Sequence, residues 1–216
     1  MDAPLESPAT AGPDDVDDER FAVLVVCTGN ICRSPLVEQL LRARFGKRVA
    51  RFSSAGTAAL VGEGMPEQAV QLSQRLGGAP AGHEPRLLDA AQVDRADLVI
   101  ALAREHRAEI VRLAPRASRR TVTLREAARL LESLESRPDL DLAALHSAPL
   151  PDALRALVGL AMWERGIAPP PAAPEDDDVD DPYRQQQEVY DRSGEQVVDA
   201  LDRIERSLRS LASRPA

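Results

Sequence analysis

Phe21-Ala-Val-Leu-Val-Val-Cys27-Thr-Gly-Asn30-Ile-Cys-Arg33-Ser-Pro35 is the stretch that decides the fold. The run Phe21 to Val26 is apolar and rich in valine, as a parallel strand buried on both faces requires. After Pro35, residues Leu36, Val37, Leu40, Leu41 and Phe45 recur at helical spacing. Cys27 to Pro35 therefore joins a strand to a helix. Such a junction gathers unpaired N–H groups and the positive end of a helix dipole, and it binds anions. Gly29 permits a tight backbone. Asn30 is the only asparagine in the chain; it tolerates left-handed backbone and can tie the loop through its amide. Ser34 is expected to cap the helix and Pro35 to occupy its first position.

A cysteine at the floor of such a nest has its thiolate stabilised by the N–H groups, the dipole and Arg33. That thiolate is an in-line nucleophile for the phosphorus of a phosphate ester. Arg33 can fork two donors onto phosphate oxygens, and Ser34 can donate to the sulfur when it leaves. The expected chemistry is a phosphocysteine intermediate followed by hydrolysis.

Outward from this loop, strand and helix patterns alternate. Val49–Ser54, Asp97–Leu102 and Thr121–Leu124 read as strands, with helices over Pro66–Leu76 and Glu105–Leu113 between them. The alternation predicts an α/β fold: a Rossmann-like open sheet of four parallel strands with helices on both faces. Residues 1–20 are expected to form a disordered acidic tail. Residues 21–216 form the main domain, with 125–178 an inserted helical and Pro-rich segment. Within it, the leucines of Leu140–Arg165 are expected to cover the domain's own surface. Glu175–Asp181 is expected to be a solvated acidic linker, and Tyr183–Leu211 a long closing helix.

Composition narrows the function. The chain has 216 residues, with 27 Lys+Arg against 35 Asp+Glu for a net charge of −8. Nucleic acid as a partner is disfavoured. Two cysteines exclude a disulfide scaffold. Three scattered histidines give no metal site, and no organic cofactor is expected. No apolar run approaches the ~18 residues of a membrane span, and the expected compartment is the cytoplasm. His106 and His146 read as surface residues on helices, and Trp163 and Tyr190 as packing residues.

The loop resembles the signature of the low-molecular-weight protein tyrosine phosphatase family. The resemblance continues in Ser54-Ala-Gly-Thr57, Gly82-His83, Asp97–Leu102 with Arg104-Glu-His106, and Asp181-Pro-Tyr183. It implies catalytic roles for Cys27 as nucleophile, Arg33 as phosphate clamp and Asp181 as general acid and then base, with Asp180 in reserve. It implies substrate contacts from Thr28, Gly29, Asn30, Ile31, Cys32, Ser34, Leu60 and Tyr183. Asn30, Ser34, Ser54 and His83 would hold the loop. The substrate would be a tyrosine-phosphorylated protein. Ala59-Leu-Val-Gly62 resembles the bacterial branch associated with tyrosine kinases, which makes such a kinase one candidate partner. Cys32 has two readings, a small buried residue or a partner for oxidised Cys27. Competing functions are a non-catalytic phosphotyrosine-binding module, a thiol-dependent arsenate reductase, and a phosphoryl carrier of sugar transport. No cysteine follows Cys32, which counts against the reductase, and the carrier has no use for Asp181-Pro-Tyr183.

Overall fold

The computed structural model describes residues 19–214. Four strands form one parallel sheet in the order β2-β1-β3-β4: β1 (Phe21–Cys27), β2 (Ala50–Gly56), β3 (Leu98–Ala101) and β4 (Thr121–Thr123). Every residue of β1 is buried, as its apolar run requires. Val23, Val25 and Cys27 face one core, and Leu24 and Val26 face another.

Helices α1 (Arg33–Phe45), α5 (Leu124–Glu135), α7 (Leu150–Glu164) and α8 (Gln187–Ser213) share the first core. The short α3 (Ala90–Asp94) and α4 (Arg104–Leu113) cover the second. The remaining helices are α2 (Glu67–Arg75), beside α8, and α6 (Ala143–Ser147). Helix α3 escapes sequence reading because it is short and buries only Val93. Its start is local chemistry: Asp89 and Gln92 form a reciprocal capping box.

The chain leaves β1 toward β2 and later returns to place β3 on the other side of β1. Loops at the carboxyl ends of β1 and β3 therefore diverge and leave a crevice, the usual ligand position in open α/β sheets. The segment after β4 is part of the body. Leu124, Leu130, Leu134 and Leu142 are nearly or fully inaccessible, and Leu140, Leu145, Leu154, Leu157 and Leu160 pack against the same core. Pro149 and Pro151 mark the break between α6, which ends at Ser147, and α7, at whose start a missing N–H costs nothing.

Three expectations about exposure and pairing need correction. Trp163 is 75% exposed, because it lies on the outer side of α7. His106 is 1% exposed, because α4 begins at the crevice. The acidic run is ion-paired through Arg104–Asp178 and Arg129–Asp177. Of the expected acidic tail, residues 1–18 lie outside the described residues. At its end, Arg20 donates to the Lys47 carbonyl at 2.6 Å.

Buried Glu126 fastens the second half to the first. It closes a capping box with Thr123 at the start of α5. It also accepts from Arg165 Nε at 2.7 Å, while Arg165 reaches the Thr121 carbonyl of β4 at 3.0 Å. Removing one partner of such a pair strands the other. Glu126→Ala is expected to destabilise the fold by about 3 kcal/mol, read as a lower urea midpoint with an unchanged slope.

Candidate active site

The loop Cys27–Arg33 leaves β1 and enters α1 at Arg33. The expected Ser34 cap does not form: Cys32 is the flanking residue, and no side chain caps the helix. A side-chain cap would occupy amides that an anion needs. Ser34 serves the loop instead, with its Oγ 3.0 Å from Cys27 Sγ.

Asn30 organises the rest. It is fully buried, and its φ of 54° is left-handed. Its Nδ2 donates to Ser34 Oγ at 2.9 Å and to Ser54 Oγ at 2.8 Å. Its Oδ1 accepts from the Arg86 amide at 2.8 Å. Its carbonyl accepts from His83 Nε2 at 2.6 Å, which places the His83 proton on that nitrogen. Ser54 in turn donates to buried Glu38 at 2.5 Å. The four residues expected to hold the loop, Asn30, Ser34, Ser54 and His83, are thus brought together, and Glu38 joins them.

A second set of bonds fixes the outer rim. The amides of Thr57, Ala58 and Leu60 donate to the carbonyls of Cys27, Thr28 and Gly29 at 2.9, 3.0 and 3.0 Å. Gly56 makes this approach possible, since a Cβ there would lie 2.4 Å from the Thr28 carbonyl oxygen.

Above the loop is a cleft of about 130 Å³. Every residue expected to touch substrate lines it except Asn30 and Ser34, which lie behind the loop; Ala58 joins them. Leu60 and Tyr183 provide its walls. Asp181 also lines it, whereas Asp180 is turned away onto Arg192. Arg192 holds the Asp180 carboxyl below its ordinary range, the wrong direction for a proton donor.

Arg33 is 4% exposed. Its guanidinium donates to the Val179 carbonyl at 3.1 Å and to Asp181 Oδ2 at 2.6 Å. It thereby ties the acid-bearing loop to the cysteine loop. Arg104 grips Asp178 with two nitrogens, and the Val179 amide donates to the Leu102 carbonyl at 2.8 Å. The acidic run is a clasp that sets Asp181 over Cys27.

The two cysteines are free and buried but differ in surroundings. Burial, then the neighbouring Cys27, push the Cys32 thiol up to about 12, so it stays protonated at neutral pH. Tyr190, also buried, is its hydrogen-bond neighbour and is pushed up to about 12 by burial and Cys32.

Sequence reasoning did not place His106 in this site. Its Nε2 lies 2.8 Å from Thr28 Oγ1, and its Nδ1 is buried without a hydrogen-bond partner. A buried lone pair is tolerated better than a buried orphan N–H. The proton therefore sits on Nε2, donating to Thr28. Arg33 also donates to Thr28 Oγ1, at 3.4 Å. With both acceptor positions engaged, the Thr28 hydroxyl proton is left to point into the cleft. The signal that could have found His106 was its place one helical turn after β3.

Burial, then Arg33, lower the His106 pKa to about 4. The folded protein keeps it neutral, while the unfolded chain protonates near 6.5. Its contribution to stability is complete above pH 6.5 and is lost as pH falls toward 4. His106→Gln is expected to flatten the acid limb of a pH–stability curve by about 2–3 kcal/mol between pH 7 and pH 4.5. Gly56→Ala leaves that titration in place but displaces the loop. It is expected to cut turnover of an aryl phosphate about 100-fold, because small misplacements at a reacting centre cost that much.

Comparison with known proteins agrees with this geometry. The family description "Low molecular weight phosphotyrosine protein phosphatase" matches residues 22–134, more than half of the chain. The low molecular weight protein-tyrosine-phosphatase Etp of Escherichia coli K12 is 39% identical over 101 residues, covering 47% of this chain and 67% of that protein. The phosphatase Ptp of Acinetobacter johnsonii is 32% identical over 102 residues, covering 47% and 70%. In shape, the tyrosine phosphatase Wzb of Escherichia coli K30 in complex with sulphate superposes with a TM-score of 0.59 at 24% identity, covering 88% of this chain and 99% of that one. The arginine phosphatase YwlE of Geobacillus stearothermophilus reaches the same TM-score at 23% identity, covering 91% and 99%. Shape alone therefore does not choose the phosphorylated side chain. The sequence match does choose the family: this chain belongs to the low-molecular-weight protein tyrosine phosphatases.

Proposed function

We propose that this chain hydrolyses phosphotyrosine in proteins through a phosphocysteine at Cys27. The observation that carries this reading is the single cleft in which Cys27, Arg33 and Asp181 meet between the apolar walls of Leu60 and Tyr183. An aromatic ring suits those walls, and its phosphate suits the nest below.

The phosphate seats on the loop amides and on Arg33, competing with Asp181 for the same guanidinium. The Cys27 thiolate attacks phosphorus and the P–O bond to the ring breaks. The Asp181 carboxyl gives its proton to the departing phenolate oxygen. Asp181, now a carboxylate, takes a proton from water as that water attacks phosphorus. The S–P bond breaks, and the Ser34 hydroxyl stabilises the emerging thiolate. The Thr28 hydroxyl donates to a phosphate oxygen throughout. The scheme uses neither metal nor organic cofactor.

The partner class is a tyrosine-phosphorylated protein, with a bacterial tyrosine kinase as candidate. Residues 125–178, read as an insertion, cover one face of the sheet and supply Arg129 to the acidic clasp.

The test is steady-state hydrolysis of p-nitrophenyl phosphate under reducing conditions with a chelator present. Wild type turns over and Cys27→Ser does not. Asp181→Asn loses about 100- to 1,000-fold in kcat, the usual worth of a general acid. A binding module without turnover in wild type, or full activity in Asp181→Asn with loss in Asp180→Asn, would contradict the scheme.

A further inference from the structure

We infer that Arg184, on the rim of the catalytic cleft, selects substrates that carry an acidic residue beside the phosphotyrosine. The inference rests on the phosphatase reading and adds to it a residue that chooses among tyrosine-phosphorylated proteins.

Arg184 occupies a position where arginine is strained. The Gln185 amide donates to the Pro182 carbonyl at 2.9 Å, which closes a turn with Arg184 third in it. Its φ is 60°, in the left-handed region. Glycine or asparagine takes that position of a turn readily, and a long side chain does not. Among the described residues, the only other non-glycine with a left-handed backbone is Asn30, the organiser of the cysteine loop. Strain of this kind gathers at functional sites and persists where surrounding contacts hold it. The contact here is with Tyr183: the Arg184 guanidinium lies over its ring, 5.0 Å from the centroid. Tyr183 lines the cleft and Arg184 does not. The guanidinium therefore sits just outside the cleft, against one of its walls.

Its charge is available. Arg184 is exposed, and no carboxylate pairs with it among the described residues. Its acidic neighbours are engaged elsewhere, Asp181 by Arg33 and Asp180 by Arg192. Arg104, Arg129 and Arg192 each hold a carboxylate of the acidic run; Arg184 holds none. The other rim has the opposite sign. Leu60 is the second wall, and the turn that follows it, closed by the Glu63 amide on the Leu60 carbonyl at 3.0 Å, carries exposed Glu63.

A phosphotyrosine reaches the cysteine loop with its ring between these walls, so its neighbours in sequence cross the rim. Those on the Tyr183 side meet Arg184, and those on the Leu60 side meet Glu63. An acid on the first side gains a partner that the Tyr183 ring already holds in place. In a chain with a net charge of −8, a cation fixed at the mouth also offsets the repulsion that an acidic substrate meets. A small aryl phosphate ends inside the cleft and does not reach this rim.

The test uses phosphotyrosine peptides of matched length. Each carries a single glutamate at one of the two positions on either side of the phosphotyrosine, and its control carries glutamine there. Affinity for the full chain bearing Cys27→Ser is read by fluorescence anisotropy, which needs no turnover. Glutamate on one flank is expected to bind about three- to fivefold more tightly than glutamine at low ionic strength, the range of an exposed ion pair. At about 0.3 M salt the ratio is expected to fall below about twofold. Glutamate on the other flank is expected to bring no gain. In the same background, Arg184→Gln is expected to level the ratio, Arg184→Lys to keep most of it, and Arg184→Glu to invert it. Equal binding of glutamate and glutamine peptides at every position, or a preference that survives Arg184→Gln, would overturn the inference. So would an equal gain on both flanks, which is a general field and not one cation. An equal loss for both peptides in Arg184→Gln, with their ratio kept, would overturn it too, since Arg184 would then only brace Tyr183. Failure of p-nitrophenyl phosphate turnover in the wild type bears on the phosphatase reading instead, because the affinity comparison stands without it.

Discussion

The site depends on one buried side chain held in an unfavourable backbone conformation. Asn30 sits at a φ of 54°, where an ordinary residue pays about 1–2 kcal/mol. Its amide recovers that cost by giving both donor hydrogens, to Ser34 and Ser54, and by accepting from the Arg86 amide. Glycine would adopt the same backbone without strain but would supply none of these bonds. Alanine would supply neither. The left-handed turn reverses the chain at the point where the loop amides must converge on one anion, and the bonds hold that reversal. Donors fixed in place in this way are how a nest lowers the barrier to a charged transition state.

Asp181 is brought to this loop electrostatically. Asp181 lies at the end of a run of carboxylates whose neighbours are taken by arginines from three helices: Arg104 of α4, Arg129 of α5 and Arg192 of α8. Arginine suits this work because its planar fork can hold both oxygens of a carboxylate, as Arg104 does with Asp178. With the neighbouring acids engaged, Asp181 is the one left facing Cys27, and Arg33 links the two loops. A run of like charge in sequence becomes, in three dimensions, a set of unequal groups with different jobs.

How much of this was legible in the sequence follows from the range of the forces involved. The sheet was legible because an unbroken apolar run such as Phe21–Val26 has few alternatives. The cysteine loop was legible because its residue types and spacing are local. The helices after β4 were legible from leucine spacing, since burial is the only use for Leu130 and Leu134. His106 was not, because its burial is decided by the crevice between β1 and β3, a property of strand order. Nor was the pairing of the acidic run, since Asp177 and Arg129 are far apart in the chain and meet only when α5 docks. Ser34 was misjudged for a related reason: its capping propensity is local, and the cysteine sulfur it serves instead is brought near by the turn at Asn30.

Direct detection of the covalent intermediate tests the account most squarely. The Asp181→Asn variant, mixed with an aryl phosphate and quenched within milliseconds into alkaline denaturant, is mapped by peptide mass spectrometry. A phosphoryl group on Cys27, absent when Cys27→Ser is added and strongly reduced when Asn30→Ala is added, is the predicted result. A phosphoryl group on any other residue, or product release with no covalent adduct, would contradict it.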